Sequence, residues 1–591
     1  MEEEPPPKKA SGAAGAKWRK AWALLSAVLA ALVLLVIGYT AYRLLPNRAV
    51  SYTDIEDHFK YGSMGGEVNL GIPYWIWQAA PLVCGESLSE VAAGRLAPDY
   101  LTRVAAYLSD EAGAAEVRRQ LSREGYQALG FFYEQDGSGQ ERDLPVGISK
   151  RRYLGVDRLF LNCAACHAGT VRKTPDDPAI LVLGMPAHRF DFYAFKHFFF
   201  QCAGQERFSK RDLIPEIEAL GGKLGWIDRH GVYPVAIASM RERGQWLAGR
   251  LGFSYRQPEW GPGRGDSFSH AKGLLNMPWE HLSDWRTERK VEVQSLGTAD
   301  FPSIWLQGPR RKRADGREME LHWDGNNDSG KERHLSALIS IGALPPGIDH
   351  QALCRIESWL LDFPPRNYDD FFPIDHALAS RGEVLYRRYC ANCHGFNGQD
   401  FTGRRVGFVT PIDEIGTDRY RLDSFTEDLA VNQATVFAGQ ARQACSADFG
   451  SGGSPTTAGA GGGGRRLAAV QAEDETTYRW THFHKTHGYA NLPLDGIWLR
   501  APYLHNGSVP SLRDLLEPSD NRPAVFYRGN DVYDPQNVGF RFDAPEADGK
   551  KFFAFDTRVP GNGNQGHEGA EYGTELSAEK KNALLEYLKT F

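Results

Sequence analysis

Two short segments, Cys163-Ala-Ala-Cys166-His167 and Cys390-Ala-Asn-Cys393-His394, both read C-x-x-C-H, and no other feature of this 591-residue chain constrains it as tightly. Two thiols three positions apart can form thioethers with the two vinyl groups of one haem, and the next His becomes its proximal iron ligand. A zinc knuckle would need further close Cys or His pairs. A redox dithiol would have no use for the trailing His twice. The motifs therefore predict two covalently bound haem c groups, attached at Cys163, Cys166, Cys390 and Cys393, with His167 and His394 on iron. An aromatic content of 12%, with 14 Trp, suits a chain that packs around large flat ligands.

The N-terminus sets the expected compartment. Residues 1–20 are polar and carry Lys8, Lys9, Lys17, Arg19 and Lys20, and an apolar run from Ala21 to Tyr42 is long enough to cross a bilayer as one helix. Few basic residues follow closely, so the positive-inside rule puts residues 1–20 in the cytoplasm and the rest on the periplasmic side. A cleaved signal peptide is the competing reading. Haem attachment outside the cytoplasm agrees with the anchor. The formal net charge of −6 argues against a nucleic-acid binder.

The length implies more than one domain. The expected fold is mainly α: two cytochrome c-type haem domains with long loops, preceded by one transmembrane helix. We place the tail at 1–20, the anchor at 21–42, an N-terminal haem domain at 46–371 and a C-terminal cytochrome c domain at 372–591. Leu378, Gly382, Leu385, Tyr386 and Tyr389 recur at helical spacing before Cys390. Leu584, Leu585, Leu588 and Phe591 do the same after Ser577, a candidate N-cap. Residues 440–470, with the Gly-rich run Gly450–Gly464, read as a flexible insertion. Pro- and Gly-rich stretches between 256 and 350 read as loops, and strands are expected to be short. Cys84, Cys202, Cys354 and Cys445 remain as isolated thiols or ordinary bridges.

The sixth iron position divides electron transfer from catalysis. Met319 is the last Met, so the C-terminal domain has no Met ligand of its own. His482, His484, His487, His505 and His567 are its candidates. Met185 and His188 follow His167 and could close the first iron, which is otherwise open.

Several segments together resemble the di-haem cytochrome c peroxidase and MauG superfamily, most closely its rubber oxygenase RoxA-like branch. They are Asp300-Phe-Pro-Ser-Ile-Trp305, Leu321-His-Trp-Asp-Gly-Asn326, Ile415-Gly-Thr-Asp418, Gly488 to Trp498, Arg500 to Pro510 and Gly561-Asn-Gly-Asn-Gln-Gly-His567. The resemblance implies that dioxygen or peroxide binds at the His167 haem and that the His394 haem transfers electrons. It implies His567 as the second ligand of the latter, with His505 close to the haems, and Trp305 or Trp323 as an aromatic relay or a wall of the pocket. The expected function is a haem-dependent oxidoreductase of dioxygenase or peroxidase type, with a non-catalytic di-haem carrier as the alternative. Its expected partners are the membrane and either a periplasmic electron-donor cytochrome or a small apolar substrate.

Overall fold

The computed structural model describes residues 12–109, 115–275, 296–310, 312–437 and 480–591. The expected insertion at 440–470, and Cys445 with it, lie outside the described residues. The chain is mostly helical, and the described strands run from two to six residues.

It opens with a helix over Gly12–Leu44. Within it Trp18–Leu44 has a mean hydropathy of 2.6 and is long and apolar enough to cross a membrane, as an anchor or a signal sequence does. Arg43, at its end, pairs with Asp228.

The largest core joins the helices Tyr74–Val83, Ala115–Ala128, Phe192–Gly204, Lys210–Ala219 and Tyr233–Leu251 around Trp77, Tyr126, Phe195 and Phe199. Trp77 and Tyr126 stack with ring centres 3.9 Å apart, and the Tyr126 hydroxyl donates to the Trp77 carbonyl. A disulfide between Cys84 and Cys202 ties two of these helices together. Cys354 is disulfide-bonded as well.

A four-stranded antiparallel sheet leads into the first motif. Its strands, β1 Arg48–Ala49, β2 Ile72–Pro73, β3 Ile148–Tyr153 and β4 Val156–Leu161, lie in the order β1-β3-β4-β2. The last residue of β4 is followed directly by Asn162 and Cys163, so the register of Ile148 opposite Leu161 fixes where the motif begins.

The stretch from 256 to 350, expected as loops, contains helices at Ser267–Leu275 and Gly330–Ile341. The second obeys ordinary start and stop chemistry. Ser329 caps it by accepting from the Glu332 amide, Gly342 ends it in the left-handed region, and Leu335, Leu338 and Ile339 are buried between. The surrounding Gly and Pro obscured it.

A third core holds the second motif. The helices His376–Tyr389 and Ala578–Leu588 cross face to face, as the two apolar stripes imply. Gly382 lets them touch: a Cβ there would stand 1.9 Å from the Ala583 carbonyl oxygen. Ser577 precedes the second helix but makes no side-chain cap bond. This core also takes Val171, Val182, Met185 and Trp305 from earlier in the chain, so the surroundings of both motifs interlock.

Candidate functional site

Each C-x-x-C-H segment is a single helical turn, Ala164–His167 and Ala391–His394. Asn162 secures the first: its amide donates to the Lys60 and Gly62 carbonyls, and its Oδ1 accepts from the Ala164 amide. Burial pushes the Cys163, Cys166 and Cys390 thiols up to about 12, and raises Cys393 as well.

The two histidines share one geometry. His167 Nδ1 lies 2.8 Å from the Pro302 carbonyl oxygen, and His394 Nδ1 lies 2.7 Å from that of Leu492. A carbonyl only accepts, so Nδ1 carries the proton and Nε2 presents a lone pair, the tautomer and orientation an iron ligand needs. Burial pushes His167 down to about 4 and also lowers His394, which keeps both rings neutral.

The sites differ in what faces them. The His567 ring centre is 6.2 Å from that of His394. Two imidazoles on opposite sides of one metal stand about 6 Å apart, since each metal–nitrogen bond is about 2 Å long. His567 sits at φ 51°, its amide donates to the Ile415 carbonyl, and its Nδ1 is buried without a partner. Burial pushes it down to about 3. Among the described residues, no second imidazole faces His167 in this way.

His505 is engaged elsewhere. It stacks on Tyr489, and its Nε2 is 3.1 Å from the Tyr489 hydroxyl, which itself donates to the Asp418 carbonyl. Met185 is fully buried in the core beside Trp305. His188 stacks on Phe540 at 3.9 Å with both nitrogens unpartnered, and burial pushes it down to about 3. His482 pairs with Asp328 and His484 with Glu320, so that cluster is spent on ion pairs.

Trp305 and Trp323 occupy different places. Trp323 is half-buried and donates to the Asp300 carbonyl. Trp305 is fully buried, donates to the Leu183 carbonyl and lies between two glycines. A Cβ on Gly184 would come within 2.3 Å of its Nε1, and one on Gly496 within 2.7 Å of its six-membered ring. Gly184 donates its amide to the His167 carbonyl, and Gly496 follows closely after Leu492. The indole thus lies between a glycine bonded to the His167 backbone and one four residues beyond Leu492.

Two features went unread in the sequence. Arg310, Arg333 and Arg500 gather between the motifs with one buried carboxylate, Asp495, which pairs with Arg310 and Arg500. Arg333 donates to Gln307 instead, and its charge acts on His167 while that of Arg500 acts on His394. Burial lowers Arg333 and Arg500 to about 10. Surplus buried guanidinium charge suits a group that brings carboxylates, as haem propionates do. The other feature is His322, at φ 62° with a buried, unpartnered Nε2. The charges of Arg333 and Arg421 act on it, and that of Arg333 acts on His167 as well. The neutral tautomer of each proximal His, the facing His567 and the arginine surplus together fit haem.

A family model described as RoxA-like, cytochrome c-like matches residues 488–527. That segment supplies the Leu492 carbonyl, Asp495, Gly496 and Arg500, and it implies haem c. The chain is also 30% identical over 343 residues to the uncharacterized protein y4iM of Sinorhizobium fredii, an overlap of 55% of this chain and 72% of that protein. The chain belongs to the y4iM family. A second relative, the uncharacterized protein y4iJ of the same organism, is 33% identical over 250 residues, which are 38% of this chain and 41% of y4iJ. As a y4iM-family member the chain thus combines an N-terminal apolar helix with a RoxA-like cytochrome c-like domain.

Proposed function

We propose that the protein is a membrane-anchored di-haem c-type cytochrome that acts as an oxidoreductase. It activates dioxygen or hydrogen peroxide at the His167 site and uses the His394 site for electron transfer. The observation that carries this reading is the asymmetry of the sites: His394 faces His567 at 6.2 Å, while no described imidazole faces His167 in this way. Haem, when bound, supplies the one-electron and oxygen chemistry. The chain supplies the rest. Pro302 and Leu492 hold the two proximal rings, Arg333 and Arg500 receive carboxylates, and Trp305 offers an aromatic bridge between the sites. The disulfides fit an oxidising, periplasmic setting, with the apolar helix as the anchor. His567, rather than His505, is the second ligand at the His394 site.

The test begins with oxygen uptake by the haem-loaded protein on polyisoprene latex, without reductant or peroxide. Uptake with carbonyl-ended products identifies an oxygenase. Turnover of hydrogen peroxide with a reduced cytochrome donor identifies a peroxidase. Failure of both leaves a carrier and overturns the catalytic reading.

A further inference from the structure

Beside the end of β4, whose Phe160 and Leu161 help to line it, a half-open cavity of about 120 Å³ lies between the helices Phe192–Gly204 and Tyr233–Leu251. An apolar cavity of about 150 Å³ accepts benzene, so this one takes the first carbons of an alkyl chain whose remainder runs out through the open side. Its walls include Trp77, Phe160, Phe195, Phe199, Met240 and Leu247.

The polar groups among its described lining residues carry one sign of charge. Lys196 and Arg243 line it together with His270 and Ser340, and no Asp or Glu does. Lys196 is buried, its Nζ 2.9 Å from His270 Nε2 and 3.9 Å from the centre of the Trp260 ring. No described carboxylate lies within ion-pair distance of that Nζ. Charging a buried amine that has no paired carboxylate is costly.

Arg43, where the apolar helix ends, pairs with Asp228, just before the helix Tyr233–Leu251. That same helix supplies Met240, Arg243 and Leu247 to the cavity and exposes Val235 and Trp246. One wall of the cavity is therefore continuous with the contact made by the end of the apolar helix.

We propose that this cavity binds a fatty-acid-like anion drawn from the lipid surface, its apolar chain between the aromatic walls and its carboxylate on Lys196, with Arg243 adding a second positive charge. The cavity then holds what its chemistry lacks, a negative charge on an apolar body. Burial holds Lys196 well below its ordinary pKa against the opposing pull of Asp266 and Asp191, with His270 and His197, also lowered by burial, beside it. An arriving carboxylate would restore the ammonium, so binding takes up a proton.

The test uses the full-length, haem-loaded protein in zwitterionic lipid nanodiscs with carboxyl-labelled decanoate, followed by carbon NMR. The expected result is one protein-bound carboxyl resonance per chain that decanol does not displace. Lys196→Met should weaken decanoate at least about tenfold while leaving the haem spectrum unchanged. Should that variant fail to fold, Leu247→Trp, which fills the cavity from the opposite helix, should abolish the same resonance. Absence of a bound resonance in the native protein overturns the proposal. So does displacement by decanol, or full binding by Lys196→Met.

Discussion

His394 and His567 face one another with ring centres 6.2 Å apart and planes inclined by 44°. They come from distant parts of the chain, one closing a helical turn and the other held in a left-handed backbone conformation by a bond to Ile415. Replacing His567 with Ala should convert one haem per chain from low-spin to high-spin in the ferric protein, and added imidazole should restore it. Electron paramagnetic resonance reads both changes. An unaltered low-spin signal would move the ligand assignment away from His567.

Trp305 makes two separable contributions. Its side chain is fully buried between Gly184 and Gly496, so Trp305→Ala should cost roughly 3–5 kcal/mol of stability in thermal or denaturant unfolding. Trp305→Phe keeps most of the volume and should leave both haem spectra in place. It should slow electron equilibration between the sites by roughly tenfold, about 1.4 kcal/mol of barrier, measured by flash-initiated reduction. Equal rates would reduce Trp305 to a packing residue.

The Cys84–Cys202 disulfide closes a loop of 118 residues through the largest core. Cys84→Ser should lower unfolding stability by about 2–5 kcal/mol, read by denaturant titration with and without reductant. Equal stability of the variant and the native protein without reductant would show that this bridge adds nothing to the core.

Much of this was legible in the sequence, though unevenly. The C-x-x-C-H spacing is local, so both motifs, each a single helical turn, could be read directly. The helices around Gly382 and Leu584 followed from their apolar periodicity. Long-range pairings could not be read from spacing: only the family resemblance implied His567 opposite His394, and nothing in the sequence brought Arg333 to His167. Met185 and His188 were attractive by proximity to His167 in the chain, yet one packs in the core and the other stacks on Phe540. His322 lay inside a recognised segment, and its neighbour Trp323 drew the attention. The Ser329 to Glu332 cap was the available signal for the helix Gly330–Ile341.

Asp531 locks the strand after His167 to the C-terminal half. Its buried carboxylate accepts from Thr170 and pairs with Arg172 and Arg189. Burial alone would raise its pKa, but Arg189, Thr170 and Arg172 outweigh it and hold the carboxyl below the usual range. Its contribution is therefore complete above the unfolded value of about 4 and is lost as the pH falls through the lower folded value. Melting temperature measured between pH 6 and pH 2 should fall more steeply for the native protein than for Asp531→Asn. Parallel curves would remove Asp531 from the acid response.

In the proposed di-haem arrangement one iron is closed by two histidines and the other is open. Cyanide titration of the ferric, haem-loaded protein, followed by absorbance and electron paramagnetic resonance, distinguishes the two. One cyanide should bind per chain, at the haem of His167, with the His394 signal unchanged, and two should bind once His567 is replaced by Ala. Binding of no cyanide, or of two by the native protein, would rule this arrangement out.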